Sequence, residues 1–134
     1  MPRERLSMIG RITLATRIWR EYMVVQRQLA RYPLPECVAV LSSSGVASAR
    51  RVPVRRLSRA VDRALRIGSH GPRCLITALV LFRMLRMQGD PAELVIGLPE
   101  SPENPDAHAW VEIHGTDVGP PPGRGHFLPM VRYP

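Results

Sequence analysis

Between positions 6 and 32 the apolar residues Leu6, Ile9, Ile12, Ala15, Ile18, Trp19, Tyr22, Met23, Val25 and Leu29 recur mostly at steps of three and four, with arginines between them. That spacing predicts one long amphipathic helix or two shorter ones. Pro33 and Pro35 break the pattern, and Pro35 with Glu36 suits the first turn of a short helix over 35–41. Ser42, Ser43, Ser44 and Gly45 then read as a linker. A third helix is expected over 50–67, with Val54, Leu57, Val61, Ala64 and Leu65 on one face and arginines around the rest. A glycine-rich turn over 68–73 leads into an apolar run from Cys74 through Leu85 and Met87 to Gly89, the pattern of a buried helix. The period then changes. Residues 92–98 and 107–113 read as strands, the second alternating cleanly, with a turn at His114 and Gly115 and another extended piece starting at Asp117. The prolines at 120–122 cannot continue a ladder, but 127–131 can supply one more short strand. The fold class expected is α+β: an N-terminal helical region over 1–45, then a core over 46–134 in which a helix packs on a small antiparallel sheet.

Charge adds a division that the hydrophobic pattern does not show. Residues 1–89 hold seventeen arginines against four acids, while residues 90–134 hold two arginines against seven acids, so a basic half is joined to an acidic one. Such a basic face suits an acidic peptide or protein partner. Nucleic acid is not expected, because no metal-ligand spacing and no aromatic platform accompany the charge. All nineteen cations are arginine, and no lysine is present. No apolar run approaches the length needed to cross a bilayer. Arg11, Arg17 and Arg20 interrupt any signal-peptide core, so a cytoplasmic protein is expected. The two cysteines, Cys37 and Cys74, lie in dissimilar settings and are both read as free thiols, Cys37 as a small buried hydrophobe.

The candidate chemistry lies between positions 73 and 119. A thiol at a helix start meets the positive end of the helix dipole and unpaired backbone N–H groups, which favour thiolate, and Arg73 beside it acts the same way. His108 on a strand can accept the thiol proton and return it to a leaving amine. An acid just downstream, Asp117, completes a Cys-His-Asp nucleophilic site, with Glu112 on the same strand face as His108 the weaker candidate for that role. With a two-residue turn Asp117 pairs with Glu112, about 13 Å along the strand from His108 at roughly 3.3 Å per residue. With a three-residue turn it pairs with Ile113 and faces the other side, so a simple hairpin does not bring it to the imidazole. A bulge or skewed register can, and otherwise a backbone carbonyl or water orients His108. The bland alternative is a core cysteine and a hydrogen-bonded structural histidine. No cofactor or metal is implied.

Cys74 heading a leucine-rich helix, the strand with Val95, Ile96, Gly97 and Leu98, and the run Ala107-His108-Ala109-Trp110-Val111-Glu112 followed by Gly115 resemble the transglutaminase-like B2 proteins of lasso peptide biosynthesis. The similarity covers residues 50–134 well and the N-terminal helices weakly. It implies a reduced papain-like core and a cysteine protease that removes the leader of a ribosomally made precursor peptide, with Cys74 as nucleophile and His108 as base. Members often place the acid where Gly119 and Pro120 stand here. The resemblance also implies partners: the precursor leader, a separate leader-recognition (B1) protein, and the lasso cyclase. Residues 1–45 read as helices only, so a stand-alone protease is expected that docks its recognition partner through those helices or the basic face. Two other readings stay open: an acyltransferase or transglutaminase using the same site, and a non-catalytic basic helical interaction module.

Overall fold

A computed structural model describes residues 8–43, 52–68, 74–99, 108–119 and 127–133. Four helices come first, α1 (Met8–Arg31), α2 (Leu34–Ser43), α3 (Val54–Gly68) and α4 (Cys74–Met87). Four strands follow, β1 (Ala92–Pro99), β2 (His108–Ile113), β3 (Thr116–Gly119) and β4 (Phe127–Tyr133). The expected α+β class is the one observed. Of the anticipated linker, Ser42 and Ser43 instead close α2, where the Ser42 hydroxyl donates to Ala39 O at 3.0 Å, and its remainder, with most of the glycine-rich turn, the acidic loop and the proline tail, lies outside the described residues.

Helix α4 lies at the centre, where Ala78, Leu79, Val80, Leu81, Phe82 and Leu85 are all sealed from solvent. A helix apolar all round must be covered on every side. Here α1, α2 and α3 cover one flank and β1 with β2 the other. Helix α1 contributes Leu14, Ile18 and Val25, and α3 contributes Leu57, Val61 and Leu65, to one core cluster continuous with Leu94, Ala109 and Val111 of the sheet. The apolar arc of α1 is wider than its partner surface. Its buried stripe runs through Leu14, and Ile9, Ile12 and Met23 lie on the exposed flank.

Helix α4 ends where Gly89 takes a φ of +94°. The Asp90 N–H donates to Leu85 O at 2.9 Å and the Gly89 N–H to Arg86 O at 3.1 Å, the paired bonds of a left-handed helix cap. Gln88 then donates to Val52 O at 2.8 Å and accepts from Val52 N at 3.1 Å, tying this corner to the start of α3. Strand β1 follows and packs against α4.

The sheet is antiparallel throughout, in the order β3-β2-β1-β4. The strand anticipated over 127–131 is present and pairs with β1 at the sheet edge. Its Pro129 sits opposite Gly97, beside a register shift, consistent with proline being confined to edges and bulges. Gly97 itself has no room for a side chain. A Cβ there would stand 2.6 Å from Leu128 O and 2.7 and 2.9 Å from Cη2 and Cζ3 of Trp110. Gly97→Ala is therefore expected to cost about 1–3 kcal/mol through displaced backbone, read as a lowered urea midpoint. A midpoint equal to wild type would show that β4 yields freely.

Candidate active site

Strand β2 carries two different faces. Ala109 and Val111 belong to the core shared with the helices, so alternation places His108, Trp110 and Glu112 on the opposite face. There Val95 and Trp110 are fully buried and Glu112 is 1 % exposed. Such a carboxylate needs partners. It accepts from Trp110 Nε1 at 2.6 Å and from Arg132 of β4 at 2.7 Å, while Glu93, its cross-strand neighbour, lies 3.8 Å from the same guanidinium.

The indole of Trp110 fills the space above Gly97 and stacks on the His108 ring, with centroids 5.9 Å apart and planes 24° from parallel. The imidazole is half-buried and its Nε2 is enclosed. Burial holds His108 below the ordinary histidine value, and the charge of Asp117 pushes the other way. The folded state therefore binds a proton at His108 less readily than the unfolded chain. The stability gained is present above the free histidine value and is lost as pH falls through the folded one. Melting temperature should drop less for His108→Gln than for wild type between about pH 7.5 and about pH 5.5. Parallel curves would contradict the burial assigned to this ring.

The hairpin resolves the geometry of the acid. His114 and Gly115 both have positive φ, 50° and 79°, as a two-residue primed turn requires. Asp117 consequently pairs with Glu112, and the register shifts between Val111 and Glu112, so Val111 meets Gly119. Asp117 Oδ1 accepts the Gly119 N–H at 2.8 Å. Both the short turn and the bulge are seen, and the carboxylate acts on His108 electrostatically. Glu112, the other candidate acid, is committed to Trp110 and Arg132.

Cys74 is the first residue of α4, and its side chain lies outside the described residues. Its place in the fold follows from the backbone. The fourteen residues of α4 span about 20 Å at roughly 1.5 Å each, and β1 covers about 17 Å from Ala92 to Gly97 at roughly 3.3 Å each. Helix α4 packs on both β1 and β2, and Gly97 pairs with His108 at one end of that strand pair. Cys37, by contrast, is a free thiol that is fully buried, and burial pushes its pKa up. It has the character of a core residue.

The Glu112–Arg132 pair and the role of Gly97 go beyond the sequence analysis. One signal was available: Arg132 is one of only two cations in the acidic half. Among the described residues no group of three or more potential metal ligands occurs, and no helix is long and apolar enough to cross a membrane.

A helical layer on a small antiparallel sheet, with cysteine opening the central helix and histidine opening a strand, is the arrangement of a transglutaminase-like core. The family profile of the transglutaminase-like superfamily matches residues 12–132, and the chain belongs to that superfamily. No curated protein and no solved structure matches it significantly. Cysteine proteases and transglutaminases make up the superfamily in general, so the class of activity is cysteine-based acyl chemistry.

Proposed function

We propose that this protein is a cytoplasmic cysteine protease that removes the leader from a ribosomally synthesised lasso precursor peptide. Cys74 attacks the scissile carbonyl, His108 takes the thiol proton and returns it to the leaving amine, and water hydrolyses the thioester. Asp117 favours the imidazolium formed on the way. The backbone N–H at the head of α4 offers an oxyanion donor. The observation that carries the reading is that Cys74 opens the central helix α4, which packs on the strand opened by His108, a half-buried imidazole acted on by Asp117. Superfamily membership and the His108-to-Glu112 motif support it.

The test incubates the protein and a leader-recognition (B1) protein with the genomically adjacent precursor and weighs the products. Hydrolysis yields free leader and core peptide; transfer of the acyl group to an amine yields a conjugate and selects the transglutaminase alternative. Cleavage unchanged in Cys74→Ala eliminates the nucleophile assignment.

Recognition of the precursor is assigned to the partner protein, docked on the outer face of α1. Met8, Ile12, Trp19 and Met23 stand exposed along that helix, with Trp19 braced edge-on against Tyr22 at 5.3 Å. An uncovered apolar row of this length suits an interface. Ile12→Asp or Trp19→Asp should weaken pull-down of the recognition protein about tenfold or more while leaving the melting temperature near wild type. Undiminished capture would remove α1 from the interface.

A further inference from the structure

The buried face of the sheet turned away from the helices carries a chain of contacts that ends on His108. Arg132 of β4 donates to Glu112 at 2.7 Å, and Glu112 accepts the indole N–H of Trp110 at 2.6 Å. Trp110 lies flat over Gly97 and stacks on the imidazole. Each link fixes a different degree of freedom. The carboxylate fixes the rotation of the indole, because any other orientation strands a buried N–H. The missing Cβ of Gly97 fixes its depth. The indole face then limits the tilt of the His108 ring.

Glu112 is an expensive residue for this position. A buried carboxylate held by a guanidinium that is itself 46 % exposed gives little net stability compared with an apolar pair of the same volume. Its value lies in direction.

We infer that Glu112 and Trp110, anchored by Arg132, are positioning residues for His108: they hold the imidazole in one orientation at the end of the sheet. The mechanistic weight of this inference rests on the leader-peptidase reading, in which His108 is the base, but the positioning itself is measurable without turnover. Among the described residues, the charged and titratable groups on the same face are Asp117 from β3, Glu112 from β2, and Glu93 and Arg132 from β1 and β4. Any change in His108 titration must be read against all four.

The experiment follows the imidazole signals of His108 by NMR across pH in the full-length protein, assigned by their loss in His108→Gln. Wild type is compared with Trp110→Phe, which keeps every charge, and with Glu112→Gln, which keeps the side-chain length. In Trp110→Phe the ring should lose the ring-current shift of the stacked indole. Its titration midpoint should rise toward the free histidine value as water gains access. Glu112→Gln should move the ring-current shift in the same sense with Trp110 still present, which a merely space-filling Trp110 does not predict. Unchanged helix-side methyl signals show that the core survives each substitution. His108 signals and midpoint equal to wild type in both variants would overturn the inference. Should Cys74→Ala still cleave precursor, the peptidase reading fails while the positioning result stands or falls on the spectra alone.

Discussion

With alanine at position 74, precursor cleavage is expected to fall by roughly four orders of magnitude or more, to the uncatalysed background, while the protein still melts as wild type. The size of the loss follows from the chemistry. Without the sulfur no thioester forms, and the remaining groups can only polarise a carbonyl that nothing attacks. The fold should tolerate the change because position 74 opens α4, where alanine favours helix as well as any residue. Cys74→Ser retains a hydroxyl of similar size but gives no thiolate near neutral pH, so it should rescue little. The pH profile carries separate information. Burial holds His108 below the ordinary histidine value, so the imidazole is neutral and able to accept a proton at pH 7 and somewhat below. Activity governed by this base should therefore decline only on the acid side of the free histidine value. Initial rates by mass spectrometry check both points, and cleavage by Cys74→Ala at the wild-type rate would sink the mechanism.

Alanine at position 21 is expected to remove about 3–5 kcal/mol of stability. Glu21 lies on the core-facing stripe of α1 and its carboxylate takes the Nε donor of Arg83 from α4. The side chains are 5 % and 12 % exposed. Truncating the acid takes from a mostly enclosed guanidinium the carboxylate that its Nε donates to, and α1 cannot move away without opening the contacts of Ile18 and Val25. The second cation near Glu21, Arg20 at 3.8 Å, is largely in solvent and contributes little. A domain of this size has about 5–15 kcal/mol in total, so Glu21→Ala should give up a large share of it and melt well below wild type. The double change Glu21→Leu with Arg83→Met should restore most of the loss, since apolar groups of matching volume serve a buried site at least as well as an ion pair. Urea titrations of the single and double variants decide this. A single-variant loss under about 1 kcal/mol would mean that the pair is solvated and replaceable.

Much of the architecture was legible along the chain because it rests on local periodicity. The apolar run from Cys74, the alternation of 108–113 and the His114-Gly115 turn lie where the structure puts α4, β2 and the primed turn. The apolar arc of α1 was legible as an arc but not as a boundary. Leu14 faces inward while Ile9 and Ile12 face out, because which edge of a wide stripe is covered depends on where α3 and α4 stop. The acid was legible as a question. Strand period and turn length place Asp117 opposite Glu112, but only the folded chain shows the bulge beside Val111 and the turn of the carboxylate toward the Gly119 N–H. Arg132 gave no local signal of its role, since it meets Glu112 twenty residues away in sequence through a strand on the far side of β1.

The order of elements, the apolar helix with cysteine at its head, and the strand opened by histidine were determined by sequence alone, because backbone geometry turns hydrophobic spacing directly into helix or strand. Tertiary structure decided what stands against His108: an indole lodged over a glycine, held by a carboxylate that a distant arginine meets. Those contacts join β1, β2 and β4, and no periodicity within one segment encodes which strand will lie beside another.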